Sequence, residues 1–167
     1  MGKKEAVRMI EKTVILIKPD GVVRSLVGEI LHRFEKTGMK IIGLKMVWID
    51  KDFAKEHYKA HKDKAFFKEL VEFITEGPVV AVALEGVHAI HNVRKIVGAT
   101  DPRDAAPGTI RGDFAHLSME WASKQKSGGK NIIHASACKK DADEELKLWF
   151  EKKELHGYKT VHEKHTF

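Results

Sequence analysis

The stretch "PVVAVAL" at 78–84 constrains the fold more than any other part of the chain. It contains no polar side chain, it is rich in β-branched valine, and Gly77-Pro78 breaks the pattern at its start. It is far too short to span a bilayer, which takes about 20 residues in a helix. A short strand with no polar face has to be covered on both sides. "TVILI" at 13–17 is a second β-branched run, and it stops at "KPDG", where Pro19 and the Asp-Gly pair mark a turn.

The remaining periodicity supplies the cover. Val27, Ile30, Leu31 and Phe34 repeat at helical spacing, with Ser25 as the N-cap and Gly38 as the stop. "KIIGLKMVWI" (40–49) reads as a strand, with Ile42, Leu44, Met46 and Trp48 on one face. Asp50 caps a helix through 51–60, and "AFFKELVEFI" (65–74) forms another. "VHAIHNVRKIV" (87–97) is helical and ends at Gly98. From 99 to 113 periodicity disappears among Pro102, Pro107, Gly108 and Gly112, a long loop, ordered or disordered, of the kind that tends to carry function. "NIIHA" is the fourth strand, and "DADEELKLWF" (141–150) is a helix with acids in its first turn. The polar tail after 150 wraps the surface. The order β-α-β-α-α-β-α-loop-β-α describes an α/β or α+β sandwich on one four-stranded sheet, parallel or antiparallel. With no repeat or linker, residues 1–167 form a single domain.

Composition narrows the class. The 167 residues are 43% hydrophobic and 32% charged, which suits a soluble globular domain. "MGKKEAVRMIEK" has no apolar run, so no secretory signal is expected. One cysteine, Cys138, builds no internal disulfide framework and fits a reducing, cytoplasmic compartment. The net charge of +6 invites a nucleic-acid partner, but lysines and arginines alternate with acids and form no basic arm. A small polyanion such as a nucleotide suits that charge equally.

The common phosphate and metal signals are missing: no GxxxxGK[ST] loop, no GxGxxG after a strand, no HExxH. An anion site would have to be built from side chains. Lys18 and Arg111 each lie in Gly/Pro-shaped turns where loop ends converge above a sheet, Arg94 sits on a helix, and Thr100 ends the turn after it. His134, in "NIIHAS", is ordinarily read as a satisfied core histidine; chemistry there needs distant partners.

"TVILIKPDGV", "GPVVAVALEG", "GATDP", "PGTIRGDF" and "NIIHAS", in this order and spacing, resemble the nucleoside diphosphate kinase family. The similarity runs from about Lys12 to Phe150 and into the tail. It implies a ferredoxin-like antiparallel sheet, and an enzyme passing the γ-phosphoryl of a nucleoside triphosphate to a nucleoside diphosphate in two half-reactions. By that resemblance His134 is the nucleophile. Lys18 reaches the phosphates and the ribose 3′-hydroxyl, and Asn131 the same hydroxyl. Arg94, Thr100 and Arg111 clamp phosphates, Tyr58 stands beside the histidine, and Phe66 stacks on the base. Glu145 and Ser136 support the imidazole. Mg²⁺ enters on the nucleotide phosphates, near Asp20. Stacking on a ring tolerates any base, which implies broad base and sugar specificity. The family forms homo-oligomers, and the long tail resembles the hexameric members more than the tetrameric ones. A basic nucleic-acid-binding protein, or a signalling protein using histidine phosphate, would be the alternative on the same fold.

Three departures stand out. Lys64 and Ala65 replace the usual Arg-Pro before Phe66, and Ala135 follows His134 where glycine is common. "AHLSMEWASKQKSGGK" (115–130) is about ten residues longer than the usual connection. It reads as an appended flap, with a short strand or docking face at Leu117, Met119 and Trp121 and a flexible Ser127-Gly128-Gly129. An apolar base contact normally made there cannot be placed.

Overall fold

The computed structural model describes residues 9–166, so the reading of the extreme N-terminus, through residue 8, lies outside the described residues. In chain order the elements are β1 (Ile10–Ile17), α1 (Pro19–Val23), α2 (Val27–Glu35), β2 (Lys40–Val47), α3 (Lys51–His57), α4 (Phe67–Ile74), β3 (Val79–Val87), α5 (Ala89–Val97), α6 (Ile110–Phe114), α7 (Met119–Lys124), β4 (Ile133–Ala135), α8 (Lys139–Trp149) and α9 (Glu163–Thr166). The strands form one sheet in the order β2-β3-β1-β4, and every pairing is antiparallel. That resolves the choice the pattern left open, in favour of the ferredoxin-like arrangement.

β1 and β3 occupy the centre, which explains why the stretches 14–17 and 79–84 within them carry no polar side chain. Ile15, Ile17, Val80, Val82 and Leu84 pack toward α2 and α5, while Val14, Leu16, Val79, Ala81 and Ala83 pack toward α3, α4 and α8. Each valine, leucine or isoleucine among them taken fully out of water contributes roughly 1.5–3 kcal/mol, and each alanine less. Two cores therefore grip one sheet, and the sheet's ends are where loops and charged residues collect.

Several local readings change in the structure. Ser25 does not cap α2; it lies at φ 59°, and the bonds Ser25 N to Val22 O (2.9 Å) and Leu26 N to Gly21 O (3.0 Å) close the C-terminus of α1 instead. In β2 a bulge at Ile42 shifts the register between Ile41 and Gly43. Ile42 turns into the core, whereas Leu44 and Met46 are exposed on the other face of this edge strand, and Trp48, just past its end, is exposed as well. α3 ends at His57 and passes into a tighter turn at 59–61. Asp50 caps it as expected, accepting from Phe53 N at 2.8 Å. β3 continues through Val87, so the next helix starts only at Ala89.

The 99–113 segment is ordered and partly helical: Arg111 sits on α6, not in a turn, because Thr109 caps that helix through the Gly112 N–H. In the 115–130 insertion, Leu117, Met119 and Trp121 form no strand. Ser118 caps α7 there through Trp121 N. Its glycines are seated rather than loose, since Gly128 (φ 69°) lies against Phe73 and the Glu69 carbonyl of α4. Met119 N donates to Asp101 and Lys130 pairs with Glu76, so the insertion bridges the 99–104 loop to the end of α4. The tail crosses β2, with His156 N donating to Ile42 O and Tyr158 Oη to Ile41 O.

Gly98 closes α5 at φ 87°, ψ 178°, a conformation nearly restricted to glycine. A Cβ there would lie 2.5 Å from Thr109 Oγ1. Gly98→Ala is expected to lower Tm by about 5 °C, at roughly 1–3 kcal/mol of backbone strain. Calorimetric melting checks this; an unchanged Tm would show that the 98–109 junction is slack.

Candidate active site

β4 carries His134 directly opposite Leu16 of β1. Because strand side chains alternate, Ile133 and Ala135 enter the core under α2 and α5, and His134 emerges on the other face beside α8. Ala135 has ordinary strand backbone, so its methyl in place of glycine imposes no strain. Glu145, one face of α8, meets the ring: His134 Nε2 and Glu145 Oε1 are 2.8 Å apart. The second carboxylate oxygen accepts from Ser136 Oγ at 2.6 Å, and that buried hydroxyl also accepts from Val14 N at 3.2 Å. An ionised carboxylate can only accept, so Nε2 carries the ring proton and Nδ1 keeps its lone pair. His134 is thus oriented through one nitrogen and free for chemistry at the other.

Beside it lies a buried cationic floor. Lys18, at the junction of β1 and α1, donates to Asn131 Oδ1 at 2.7 Å, and Asn131 Nδ2 donates to the Thr100 carbonyl at 2.9 Å. Arg111 is buried and binds four backbone carbonyls: Gly98 (3.0 Å), Ala99 (3.1 Å), Asn131 (3.3 Å) and Ile133 (2.6 Å). A guanidinium has five N–H donors, so these four carbonyls leave one uncommitted. Ile132, between them, has φ 73°, costly for a β-branched residue. Its N–H donates to Asp20 (3.0 Å) and its carbonyl accepts from Lys18 N (2.8 Å), which holds the strained turn from both ends.

The electrostatics follow from burial. Desolvation, helped by Arg111, lowers the Lys18 ammonium to about 8, against a smaller opposite pull from Asp20. Desolvation and the nearby Arg94 lower Arg111 to about 10. Burial raises Asp20 despite Lys18 and three backbone donors. Two buried cations facing one carboxylate leave an excess of positive charge that an anion would relieve.

Arg94 projects from the exposed side of α5, and Thr100 lies exposed in the following loop. Phe66, just before α4, is 48% exposed with its ring 6.0 Å from that of His61. Tyr58 is buried at the end of α3, and burial, with Glu145 and Asp20 nearby, pushes its phenol well up. The structure therefore joins His134, Ser136 and Glu145 in one hydrogen-bonded set and Lys18, Thr100, Arg111 and Asn131 in another. Arg94 is coupled to the second set through space, and Phe66 stands apart on the helical hairpin.

Among the described residues, five buried side-chain polar atoms lack a protein partner, and three belong here: Asp20 Oδ1, His57 Nε2 and Tyr58 Oη. Buried polar groups are normally satisfied, so these three atoms are the ones here with hydrogen-bonding capacity left over. His57 and Trp149 escaped the sequence reading. Trp149 Nε1 donates to His57 Nδ1 at 3.2 Å across 92 residues of chain, a contact that no local pattern announces.

The family model for nucleoside diphosphate kinase matches residues 11–155. The chain is 53% identical over 148 residues to the nucleoside diphosphate kinase of Pyrococcus horikoshii, covering 89% of this chain and 90% of that one. It is 46% identical to the Archaeoglobus fulgidus enzyme, covering 92% and 95%. Among solved structures, a transition-state mimic of the Borrelia burgdorferi nucleoside diphosphate kinase with vanadate and ADP aligns with a TM-score of 0.91 at 39% identity, covering 95% and 98%. A Halobacterium salinarum nucleoside diphosphate kinase in complex with CDP aligns at 0.82 with 43% identity, covering 91% and 95%.

The geometry at Glu145 makes one prediction independent of any substrate. Long-range ¹H–¹⁵N spectra of His134 are expected to show the Nε2–H form alone, and Glu145→Ala to show a mixture of both tautomers. A predominant Nδ1–H form in the parent protein would contradict the orientation described.

Proposed function

This chain belongs to the nucleoside diphosphate kinase family and transfers the terminal phosphoryl group of a nucleoside triphosphate to a nucleoside diphosphate; we propose that it does so through a phosphohistidine on His134. The observation that carries this assignment is the 2.8 Å contact of Nε2 with Glu145, which leaves Nδ1 as the available nucleophile on the ring. In the first half-reaction the His134–phosphorus bond forms as the bond to the leaving diphosphate breaks, and the second half-reaction reverses this with a different diphosphate. Such transfers ask a protein mainly for positioning and for stabilisation of charge on the equatorial oxygens. Lys18 supplies a point charge and Arg111 and Arg94 supply planar donors. Thr100 adds a hydroxyl to the phosphate loop, and Tyr58 Oη is a further buried hydroxyl, its ring 4.5 Å from that of His57. Asn131 and Lys18 address the sugar hydroxyl, and Phe66 offers a ring for the base, with broad base and sugar specificity.

Mg²⁺ fits this donor set. Asp20 has one oxygen engaged by Ile132 N and the other buried without a partner, a hard ligand suited to a hard cation. The metal, bound through the nucleotide's phosphates, would supply charge neutralisation there. We read residues 1–167 as one domain with an accessory insertion at 115–130. A homo-oligomer, with a hexamer favoured over a tetramer, accords with the long tail and with Leu44, Met46 and Trp48 exposed on or just past the edge strand. No helix among the described residues is long and apolar enough to cross a membrane, and the cytoplasm suits the lone Cys138. Retention of the whole set of side chains speaks against a nucleic-acid-binding or purely signalling role.

His134→Ala is expected to abolish exchange while nucleotide affinity stays within several-fold. Label from γ-labelled ATP should appear on a single acid-labile site in the parent enzyme and on none in the variant. Substantial exchange by the variant would overturn the assignment. The Lys18 ammonium supplies a second expectation. In the empty enzyme its charge is lost as pH rises through about 8, whereas a bound phosphate holds the proton on. The kcat/KM profile should therefore fall above pH 8 and the kcat profile turn at higher pH. Lys18→Met should lower the rate and remove that step from the kcat/KM profile.

A further inference from the structure

His57, the last residue of α3, takes no part in the scheme above, yet it faces the reacting histidine. The two rings lie 4.8 Å apart, edge to face at 83°. A nitrogen from each ring and a carboxylate oxygen of Glu145 fall within 4.8 Å of one another. Trp149, fully inside the second core, holds His57 from behind at 3.2 Å.

That back contact fixes the chemistry of the front. An indole N–H can only donate, so His57 Nδ1 must present its lone pair, and the proton of the neutral ring sits on Nε2. The charged form would set a second N–H against the indole. Burial, with His134, Lys18 and His61 around it, also holds His57 far below the ordinary histidine range. Its Nε2 is buried with no protein partner. The result is a neutral donor, fixed in tautomer by the indole, with no acceptor among the described residues.

We propose that the Nε2–H of His57, held in that tautomer by Trp149, is a catalytic hydrogen-bond donor to the oxygens of the phosphoryl group moving on and off His134. This deepens the proposed function and rests on His134 carrying the phosphoryl group. His57 transfers no proton: the phosphorus–oxygen bond to the diphosphate breaks as the phosphorus–His134 bond forms, and the leaving diphosphate keeps the electron pair. Charge spreads over the three equatorial oxygens at that moment, and a donor already oriented by the fold stabilises it without reorganising. The same tautomer argues against His57, His134 and Glu145 as a transition-metal site, because coordination through His57 Nε2 needs the lone pair where the proton sits.

The test uses the full-length enzyme. His57→Leu is expected to lower kcat roughly 100-fold with KM little changed, by analogy with loss of one preorganised donor. His57→Gln, whose amide can place an N–H near the same point, should recover a large part of the loss. Trp149→Phe keeps a ring but releases the tautomer, and should lower kcat about tenfold. NMR of the parent protein should show His57 as the Nε2–H form, with a mixture in Trp149→Phe. A folded His57→Leu enzyme with kcat within twofold of the parent would overturn the inference. So would an Nδ1–H form of His57, which remains measurable if the leucine variant fails to fold. Tight stoichiometric Zn²⁺ binding lost in His57→Gln would do the same. An active His134→Ala enzyme would instead sink the underlying assignment, so the two failures are distinguishable.

Discussion

Four backbone carbonyls converge on the guanidinium of Arg111, and the site depends on that convergence. Gly98 and Ala99 close α5, while Asn131 and Ile133 flank the strained residue that leads into β4. One side chain on a short helix thus fixes the loop holding Thr100 against the strand holding His134. A neutral residue could not do this, because four acceptors in a buried place need several directed donors from one group. The cost is a buried charge, met only in part by Asp20. Lys18 and Arg111 together exceed that one carboxylate, so the spot carries a net positive charge that favours an anion.

The two cores divide the labour. The core under α2 and α5 takes Ile133 and Ala135 and so locks the strand that presents His134. The core under α3, α4 and α8 holds Trp149, with His57 beside it and Glu145 one turn back on α8. The imidazole emerges where the sheet meets the second core, and its partners come from elements rigid for reasons of packing. Precision at the histidine is therefore a by-product of burial: Ser136 and Trp149, both buried, orient Glu145 and His57 in turn.

The insertion at 115–130 shows how an added segment can be accommodated near such a site. Its stems are fixed by Arg111 on one side and Asn131 on the other, and loop closure becomes only slowly more costly with length. Rather than hanging free, it forms α7 and rests Gly128 on α4, with Met119 N on Asp101. It thereby connects the helical hairpin that carries Phe66 to the loop that carries Thr100. Composition suggested looseness at Ser127-Gly128-Gly129; in the fold, glycine serves close approach instead, since a Cβ on Gly128 would meet Phe73 at 2.4 Å.

Strands buried on both faces and amphipathic helices write their periods directly into the chain, so the four strands and the longer helices were legible before folding, while short helices such as α1, α6 and α7 were not. Blocks resembling a known family also pointed to His134, Lys18, Thr100, Arg111 and Asn131 as candidates, which the fold brings to the same end of the sheet. Local signals failed where the deciding contact was distant. Ser25 looked like a cap, but closing bonds from α1 claimed it. Ile42 and Leu44 looked like neighbours on one face, until pairing with β3 introduced a bulge. Strand direction, the ordering of 99–113 and the seat of the insertion belonged to the tertiary structure, since each rests on partners far along the chain. His57 is the clearest case. Its tautomer is set by Trp149, 92 residues away, and only folding brings that indole to the back of the ring.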